Sequence, residues 1–266
     1  MAEQKSNYSG SNISRSYSKG SSWKVKRIST GSYDFNKWLY GGYEKDVISM
    51  IAGPPGSGKT NFCVLVACSQ ARKGNRVLFI DTEGGFSTDR IKQVVGKEKL
   101  ENVLKNILIF QPTNFDEQVR IFDNIEGKIK NEDIQLIIVD GMAMLYRLEM
   151  GGASMNKDSS KVQDINRQVS KQMKVLAEIS RKEKIPVVLT NQVYNNFVSK
   201  EDFMKGNKGD VNIVGGDLLK YWSKCILRLE NNQGKRTAVL EKHRSLPNKR
   251  MDFIIKDSGI YKKGWI

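Results

Sequence analysis

The sequence predicts an α/β fold, in which a mostly parallel central sheet is covered by helices on both faces and carries an antiparallel extension at its C-terminal end. Two patterns along the chain predict this class. Up to about residue 224, short β-branched runs alternate with longer stretches of helical periodicity, as in parallel sheets whose strands are connected by helices. After that point, short apolar runs are separated only by turn residues, which is typical of antiparallel strands.

The individual elements follow from local periodicity. Five runs are predicted to be buried strands: Val47–Ala52, Val77–Asp81, Ile107–Phe110, Leu136–Asp140 and Val187–Asn191. The strongest helix covers about Lys161–Lys184, because apolar residues recur there every three or four positions and Pro186 follows its end. The runs Cys225–Glu230, Thr237–Lys242 and Phe253–Lys256 are predicted to extend one edge of the sheet and not to form a separate domain.

Composition indicates one folded domain behind a short tail. The chain has 266 residues, of which 39% are hydrophobic, enough for a sizeable core. Residues 1–22 are rich in Ser and Gly without apolar periodicity, so they are predicted to be disordered, and residues 23–266 to fold. The longest apolar run, Phe62–Cys68, is far shorter than the roughly 18 residues of a membrane span. With no secretory leader visible, we expect a cytoplasmic location and no membrane partner.

Charge is unevenly distributed along the chain. The formal net charge is +15. Residues 1–30 carry six basic residues against one acidic residue, and residues 231–266 carry nine against three, so most of the excess lies at the two ends. A polyanion such as nucleic acid is the functional interpretation. A general lysine bias of the source proteome is the alternative, and charge alone does not decide between them.

One glycine-rich segment carries a phosphate-binding motif. It fits G-x-x-x-x-G-K-[ST] at every fixed position: Gly53, Pro54, Pro55, Gly56, Ser57, Gly58, Lys59 and Thr60. It lies between a predicted strand and a predicted helix, where its backbone N–H groups and the helix dipole would surround phosphate oxygens. We therefore predict an ATP site in which Lys59 reaches the β- and γ-phosphates and the Thr60 hydroxyl ligates Mg²⁺.

Two further carboxylates fit the same site. Asp140 ends the apolar run Leu136–Asp140, at the end of a buried strand where it would hold Mg²⁺ through a water. Glu83 follows the run Val77–Asp81 and is predicted to orient and deprotonate the attacking water. The alternative for this second position is a helix N-cap cluster, with Thr82 or Ser87 capping the next helix. Gln192 ends the fifth strand, where its amide could contact the γ-phosphate.

These motifs occur in the order found in a known family. Ser29–Ser32, Leu39–Gly42, the phosphate-binding loop, Ile80–Phe86 and Thr190–Val193 together resemble the ordered signature of RecA-family recombinases. The segments Trp222–Glu230 and Leu240–Ser245 are similar to an archaeal subgroup of that family, whose members are paralogues of the main recombinase. The resemblance runs from about residue 23 to the end of the chain.

The resemblance implies a RecA-type ATPase core in an accessory factor for homologous recombination and DNA repair. It implies that Glu83 activates water and that Gln192 couples the nucleotide state to two DNA-binding loops, near residues 147–158 and 194–216. Residues 150–154 and 205–209 are expected to be flexible in these loops. Five cations there are candidate contacts for DNA, most readily single-stranded: Arg147, Lys157, Lys200, Lys205 and Lys208. The implied protein partners are the main archaeal recombinase RadA and a Holliday-junction nuclease.

A departure from the family pattern affects the expected assembly and turnover. Full recombinases polymerise through a Phe-x-x-Ala segment before the core, whereas the first phenylalanine here, Phe35, already belongs to the core. We therefore expect a monomer or small oligomer, slow hydrolysis and no strand exchange. Lys242 and Arg244 resemble the segment that KaiC-type relatives insert into a neighbour's ATP site, with a basic strand end as the alternative. Two other functions stay open: a KaiC-like regulatory ATPase without a DNA role, and an ATP-switched binding module that does not hydrolyse ATP.

Overall fold

The computed structural model describes residues 25–195 and 211–264 of the chain. Its strands are β1 (Arg27–Ile28), β2 (Tyr43–Glu44), β3 (Ile48–Gly53), β4 (Arg76–Asp81), β5 (Ile107–Phe110), β6 (Ile134–Asp140), β7 (Val187–Asn195), β8 (Val211–Ile213), β9 (Ser223–Asn232), β10 (Lys235–His243), β11 (Lys249–Lys256) and β12 (Gly259–Lys262). Its helices are α1 (Tyr33–Trp38), α2 (Lys59–Ala71), α3 (Thr88–Val95), α4 (Lys97–Leu104), α5 (Phe115–Asp123), α6 (Ile125–Glu132), α7 (Met144–Met155), α8 (Ser159–Glu183) and α9 (Gly216–Trp222). The predicted tail, residues 1–22, lies outside the described residues.

The main sheet confirms the predicted fold class. Its strand order is β12-β11-β10-β9-β3-β7-β6-β4-β5, and β8 pairs with β7. The strands from β9 to β5 run parallel, whereas β10, β11 and β12 add antiparallel strands at the β9 edge. The run Cys225–Glu230 therefore differs from the expectation in one respect: it lies in β9, which pairs parallel to β3 and is antiparallel only to β10.

The sheet is covered by helices on both faces, and each face has its own apolar core. One core contains α2 and the buried side chains Phe35, Phe62 and Phe253, whose rings meet edge to face. The other core is built on α8, whose Ile165, Val169, Met173, Leu176 and Ile179 are buried at helical spacing. Among the described residues, no helix has the length and apolar character needed to cross a membrane.

The segment predicted to be flexible around residues 150–154 is helical, so that prediction was wrong. Residues 150–154 lie within α7, despite the pair Gly151-Gly152. The helix is fixed to α8 by a hydrogen bond from the Tyr146 hydroxyl to Asn166 (2.8 Å) and by an ion pair between Lys161 and Glu149 (2.6 Å). Tertiary packing, including the burial of Ala153 between the exposed positions, therefore outweighs the low helix propensity of glycine.

Candidate nucleotide-binding site at the carboxyl ends of the parallel strands

The glycine-rich loop joins the central strand β3 to the N-terminus of α2. Gly58 is the N-cap of α2 and has φ +104°, a left-handed conformation that favours glycine. A Cβ at this position would also lie 2.6 Å from Cδ1 of Ile255 on β11. The loop therefore favours glycine here for its backbone conformation, and a larger residue would also displace the Ile255 side chain.

Lys59 lies inside the loop and not on the protein surface. Its side chain is only 6% exposed, and Nζ donates hydrogen bonds to the carbonyl oxygens of Gly53 (3.0 Å) and Pro54 (3.1 Å). Burial lowers the pKa of Lys59, while the nearby carboxylates of Glu83 and Asp140 act in the opposite direction. The ammonium group is thus surrounded by the loop that would hold the phosphates.

Asp140 supplies a buried carboxylate beside the loop. It ends β6, is fully buried, and accepts a hydrogen bond at Oδ1 from the Thr190 hydroxyl (2.6 Å). Oδ2 has no hydrogen-bond partner among the described residues, nor does the buried hydroxyl of Ser57 in the loop. Unpartnered buried oxygens are costly, and carboxylate and hydroxyl oxygens are the ligands that Mg²⁺ prefers. The side chains present therefore fit the predicted metal, with Asp140 and the nearby Thr60 hydroxyl as its holders.

The environment of Asp140 also gives it an unusual titration. Burial raises the pKa of Asp140 to about 6, against the opposing effects of the Thr190 and Thr60 hydroxyls, and the nearby carboxylates of Glu83 and Asp81 also raise it. Because the folded-state pKa is the higher one, the folded state binds more protons between the usual pKa and about 6, and stability falls as the pH rises through that window. Above it, the ionised carboxylate destabilises the metal-free fold by on the order of 2–3 kcal/mol.

Asp140→Asn is therefore expected to increase the free energy of unfolding at pH 8 in the absence of metal, by on the order of 2 kcal/mol, and to leave it nearly unchanged at pH 4. The same change should remove the additional stabilisation by Mg²⁺ with ATP. Denaturant unfolding at the two pH values, with and without Mg²⁺ and ATP, measures both effects. Asp133→Asn is the matched control, since Asp133 is exposed just before the same strand and its change should stay within about 0.5 kcal/mol. A metal-free Asp140→Asn protein less stable than wild type at pH 8 would contradict this account.

Glu83 lies on the turn that connects β4 to α3. Ser87 is the N-cap of α3, accepting a hydrogen bond from the Arg90 backbone N–H (3.3 Å), so Glu83 does not cap this helix. The Thr82 hydroxyl donates to the carbonyl oxygens of Asp140 (3.1 Å) and Gly141 (2.7 Å), not to a helix end. Ser87 therefore caps helix α3, which was the alternative role predicted for this cluster. The Glu83 carboxylate is exposed at the site.

Glu83 can approach the β6 strand end because the residue opposite it is glycine. Gly141 has φ +93°, and a Cβ there would lie 2.7 Å from Cγ of Glu83 and 2.4 Å from the Thr82 hydroxyl. The sequence assigned no site role to Gly141 or to Thr190, although Thr190 belongs to the motif Thr190–Val193. Thr190 holds both the Asp140 carboxylate and the Gly141 N–H (2.8 Å), a proximity that depends on the pairing of β6 with β7.

Gln192 connects this turn to the neighbouring strand. Its Nε2 donates a hydrogen bond to Oε1 of Glu83 (3.2 Å), and its Cα is paired with that of Gly53, the first residue of the loop. The backbone of Gln192 also accepts a hydrogen bond from the Val214 N–H (3.0 Å), beside the β7–β8 pair. One side chain thus links the glutamate to the strands that flank residues 196–210.

The predicted DNA contacts divide into two groups. Arg147 is exposed on α7, and Lys157 is exposed just after that helix with φ +53°. Both follow β6, whose carboxyl end lies at the same end of the sheet as the glycine-rich loop. Lys200, Lys205 and Lys208 lie outside the described residues.

Lys242 and Arg244 lie at the opposite end of the sheet from the loop of their own chain and are bonded within that chain. Lys242 Nζ donates to the Lys220 carbonyl oxygen (2.7 Å). The Arg244 guanidinium contacts Glu44 (2.5 Å) and Asp46 (2.7 Å). Their action on a neighbour's ATP site stays a prediction, and it would require these contacts to be exchanged for contacts across an interface.

A glycine-rich loop after the central strand β3 and a buried carboxylate after β6, on a parallel sheet of this order, define the class: a P-loop domain of the RecA type. Comparison with known proteins agrees with this class. A family model described as Rad51 matches residues 22–263. The chain therefore belongs to the Rad51 family.

Several relatives share most of their length with the chain and are named DNA repair and recombination protein RadB. The one from Methanobrevibacter smithii is 41% identical over 227 residues, which cover 84% of this chain and 90% of the relative. The one from Methanosphaera stadtmanae is 37% identical over 85% of this chain and 91% of its own. The one from Methanothermobacter thermautotrophicus is 37% identical over 88% and 95%. The predicted resemblance to an archaeal subgroup of recombinase paralogues is thereby confirmed.

Proposed function

We propose that this protein binds ATP and Mg²⁺, hydrolyses ATP slowly, and uses the nucleotide state to control DNA binding in repair and recombination. The hydrogen bond between Gln192 and Glu83 carries this proposal. It joins the glutamate of the hydrolytic step to the strands next to the predicted DNA-binding segment. The names of the RadB relatives support the biological setting.

Nucleotide binding rests on the loop from Gly53 to Thr60. Lys59, already inside the loop, exchanges its bonds to the carbonyl oxygens of Gly53 and Pro54 for phosphate oxygens. Thr60 and Asp140 hold Mg²⁺, which when bound neutralises charge on the phosphate oxygens. The loop backbone and the N-terminus of α2 supply the remaining positive potential.

Hydrolysis uses Glu83 as the general base. Its carboxylate is exposed towards the site, where it orients a water and accepts a proton as the water oxygen attacks the γ-phosphorus and the bond to the β–γ bridging oxygen breaks. Turnover by a single chain is slow, because Lys242 and Arg244 of that chain are bonded at the far end of the sheet and supply no cation to its own site.

Gln192 couples this chemistry to DNA. Its side chain can contact either Glu83 or a γ-phosphate, while its backbone is fixed to Val214 beside β8. A change of nucleotide therefore shifts the strands that flank residues 196–210. The cations of that segment, Lys200, Lys205 and Lys208, act together with Arg147 and Lys157 as phosphate contacts to single-stranded DNA.

The family resemblance supports the choice of partners in this proposal. Besides DNA, they are the main recombinase RadA and a Holliday-junction nuclease, with this protein acting as a monomer or small oligomer beside them.

Single-stranded DNA affinity as a function of salt tests the DNA role. If all five cations contact phosphates, affinity with ATP should fall about a hundredfold between 50 and 200 mM salt, since each contact adds about 0.7 to the slope for single strands. The double change Arg147→Ala and Lys157→Ala should make the slope of log affinity against log salt shallower by about 1.4. Lys130→Ala, on α6 before β6, should leave this slope unchanged. Absence of salt-dependent DNA binding would favour the regulatory ATPase without a DNA role.

A further inference from the structure

Two sets of hydrogen bonds hold the turn that carries Glu83. Thr82 is bonded to the end of β6, and the backbone from Glu83 to Phe86 is bonded to one buried carboxylate. Asp81, the last residue of β4, is 1% exposed. Its Oδ1 accepts hydrogen bonds from the backbone N–H groups of Glu83 (3.3 Å) and Gly85 (3.1 Å), and its Oδ2 accepts one from Phe86 (3.0 Å). Beyond Thr82, the position of the turn backbone therefore depends on how the Asp81 carboxylate is oriented.

A fourth hydrogen bond fixes that orientation from the neighbouring strand. Nε2 of Gln111, which directly follows β5, donates to Oδ2 of Asp81 (3.2 Å). With it, the carboxylate has four donors, which matches the roughly four acceptor positions of an ionised carboxyl group. The other donors all belong to the turn itself, so Gln111 is the donor that ties the carboxylate to a different part of the sheet.

The middle of the turn has little else to hold it. Gly84 has φ +68°, and a Cβ built there would have no atom within 4 Å. The far end is anchored by packing, where the Phe86 ring meets that of Phe79 edge to face at 5.1 Å. The tip of the Glu83 side chain is held separately, by Gln192.

We propose that Asp81 and Gln111 form a positioning pair for Glu83, in which Gln111 sets the plane of the Asp81 carboxylate and thereby the place of the general base. Neither residue touches the substrate. This inference rests on the proposed function, because it assigns the pair a part in the same hydrolytic step. A displacement of the base by about 1 Å is enough to slow such a step severely.

Gln111→Leu tests the pair, since it removes the donor while keeping a side chain of similar size at an exposed position. We expect ATP turnover to fall roughly tenfold, with ATP affinity within about twofold of wild type, because the glycine-rich loop is untouched. Gln111→Lys supplies another donor to Asp81 and should restore turnover to within about threefold of wild type. Gln135→Leu, the same change at the opposite end of the sheet, is the matched control and should alter neither quantity.

Hydrogen exchange separates failure of this inference from failure of the proposed function. In Gln111→Leu the amides of Glu83, Gly85 and Phe86 should exchange faster than in wild type, while those of the glycine-rich loop stay unchanged. If wild type hydrolyses ATP and Gln111→Leu does so equally fast, or loses affinity in proportion to turnover, the positioning role is wrong. If wild type shows no hydrolysis, the proposed function fails. In that case, unchanged exchange of the Glu83, Gly85 and Phe86 amides in Gln111→Leu would also overturn the inference that Gln111 and Asp81 position the turn.

Discussion

Replacement of Lys59 with alanine should weaken ATP binding by at least about a hundredfold and leave the fold intact. The ammonium group lies inside the glycine-rich loop, bonded to two of its carbonyl oxygens, and it is the only described cation there. Each charge-assisted hydrogen bond to a phosphate is worth roughly 1.5–3 kcal/mol, so the loss of contacts to two phosphates accounts for the size of the effect. Titration calorimetry with ATP and Mg²⁺ measures the affinity.

The matched control for this change is Lys73→Ala. Lys73 is exposed just beyond the other end of α2, so its loss removes one positive charge without touching the loop. ATP affinity of that variant should stay within about twofold of wild type, and both variants should unfold cooperatively. Unchanged affinity in Lys59→Ala would remove the assignment of the loop as the ATP site.

Glu83→Gln should retain ATP binding and lose at least about 99% of ATP turnover. Glutamine preserves the shape of the side chain and can still accept the hydrogen bond from Gln192, but it cannot take a proton from water. General-base catalysis typically contributes a factor of 10² to 10⁴, which sets the expected loss. Turnover is measured by release of inorganic phosphate, and affinity by the same calorimetry.

Glu98→Gln is the control for this second change, because Glu98 is an exposed carboxylate on α4 away from the loop. It should leave turnover unaltered. If Glu83→Gln turned over ATP as fast as wild type, Glu83 would be a turn residue only, and the base would have to be sought elsewhere in the site.

The parallel part of the fold is readily predicted from the sequence, because buried parallel strands are continuous apolar runs. All five runs predicted before residue 224 overlap strands of the main sheet, and the boundaries differ from the prediction by at most a few residues. The short strands β8 and β12 were not predicted, since three or four residues carry too little periodicity. Helix α7 was mistaken for a flexible segment because its stability comes from contacts with α8 and not from local propensity.

The candidate site likewise contains residues that the sequence predicts and residues that it does not. Residues within a contiguous motif, such as Lys59 and Thr60, are evident from spacing alone. Thr190 is different, because its hydroxyl meets Asp140 only through the pairing of β6 with β7, across 50 residues of sequence. Gln111 meets Asp81 across the pairing of β4 with β5 in the same manner. Such contacts depend on strand order, which local sequence patterns do not specify.

The central claim is that nucleotide state controls DNA binding through Gln192, and single-stranded DNA affinity in three nucleotide states tests it most directly. Fluorescence anisotropy at fixed salt would compare the protein with ATP and Mg²⁺, with ADP and Mg²⁺, and without nucleotide, in wild type and in Gln192→Ala. We expect wild type to bind DNA at least about fivefold more tightly with ATP than with ADP, as for a typical coupling free energy of at least about 1 kcal/mol, and Gln192→Ala to bind equally in all three states. Equal DNA affinity of wild type in all three states would contradict the account.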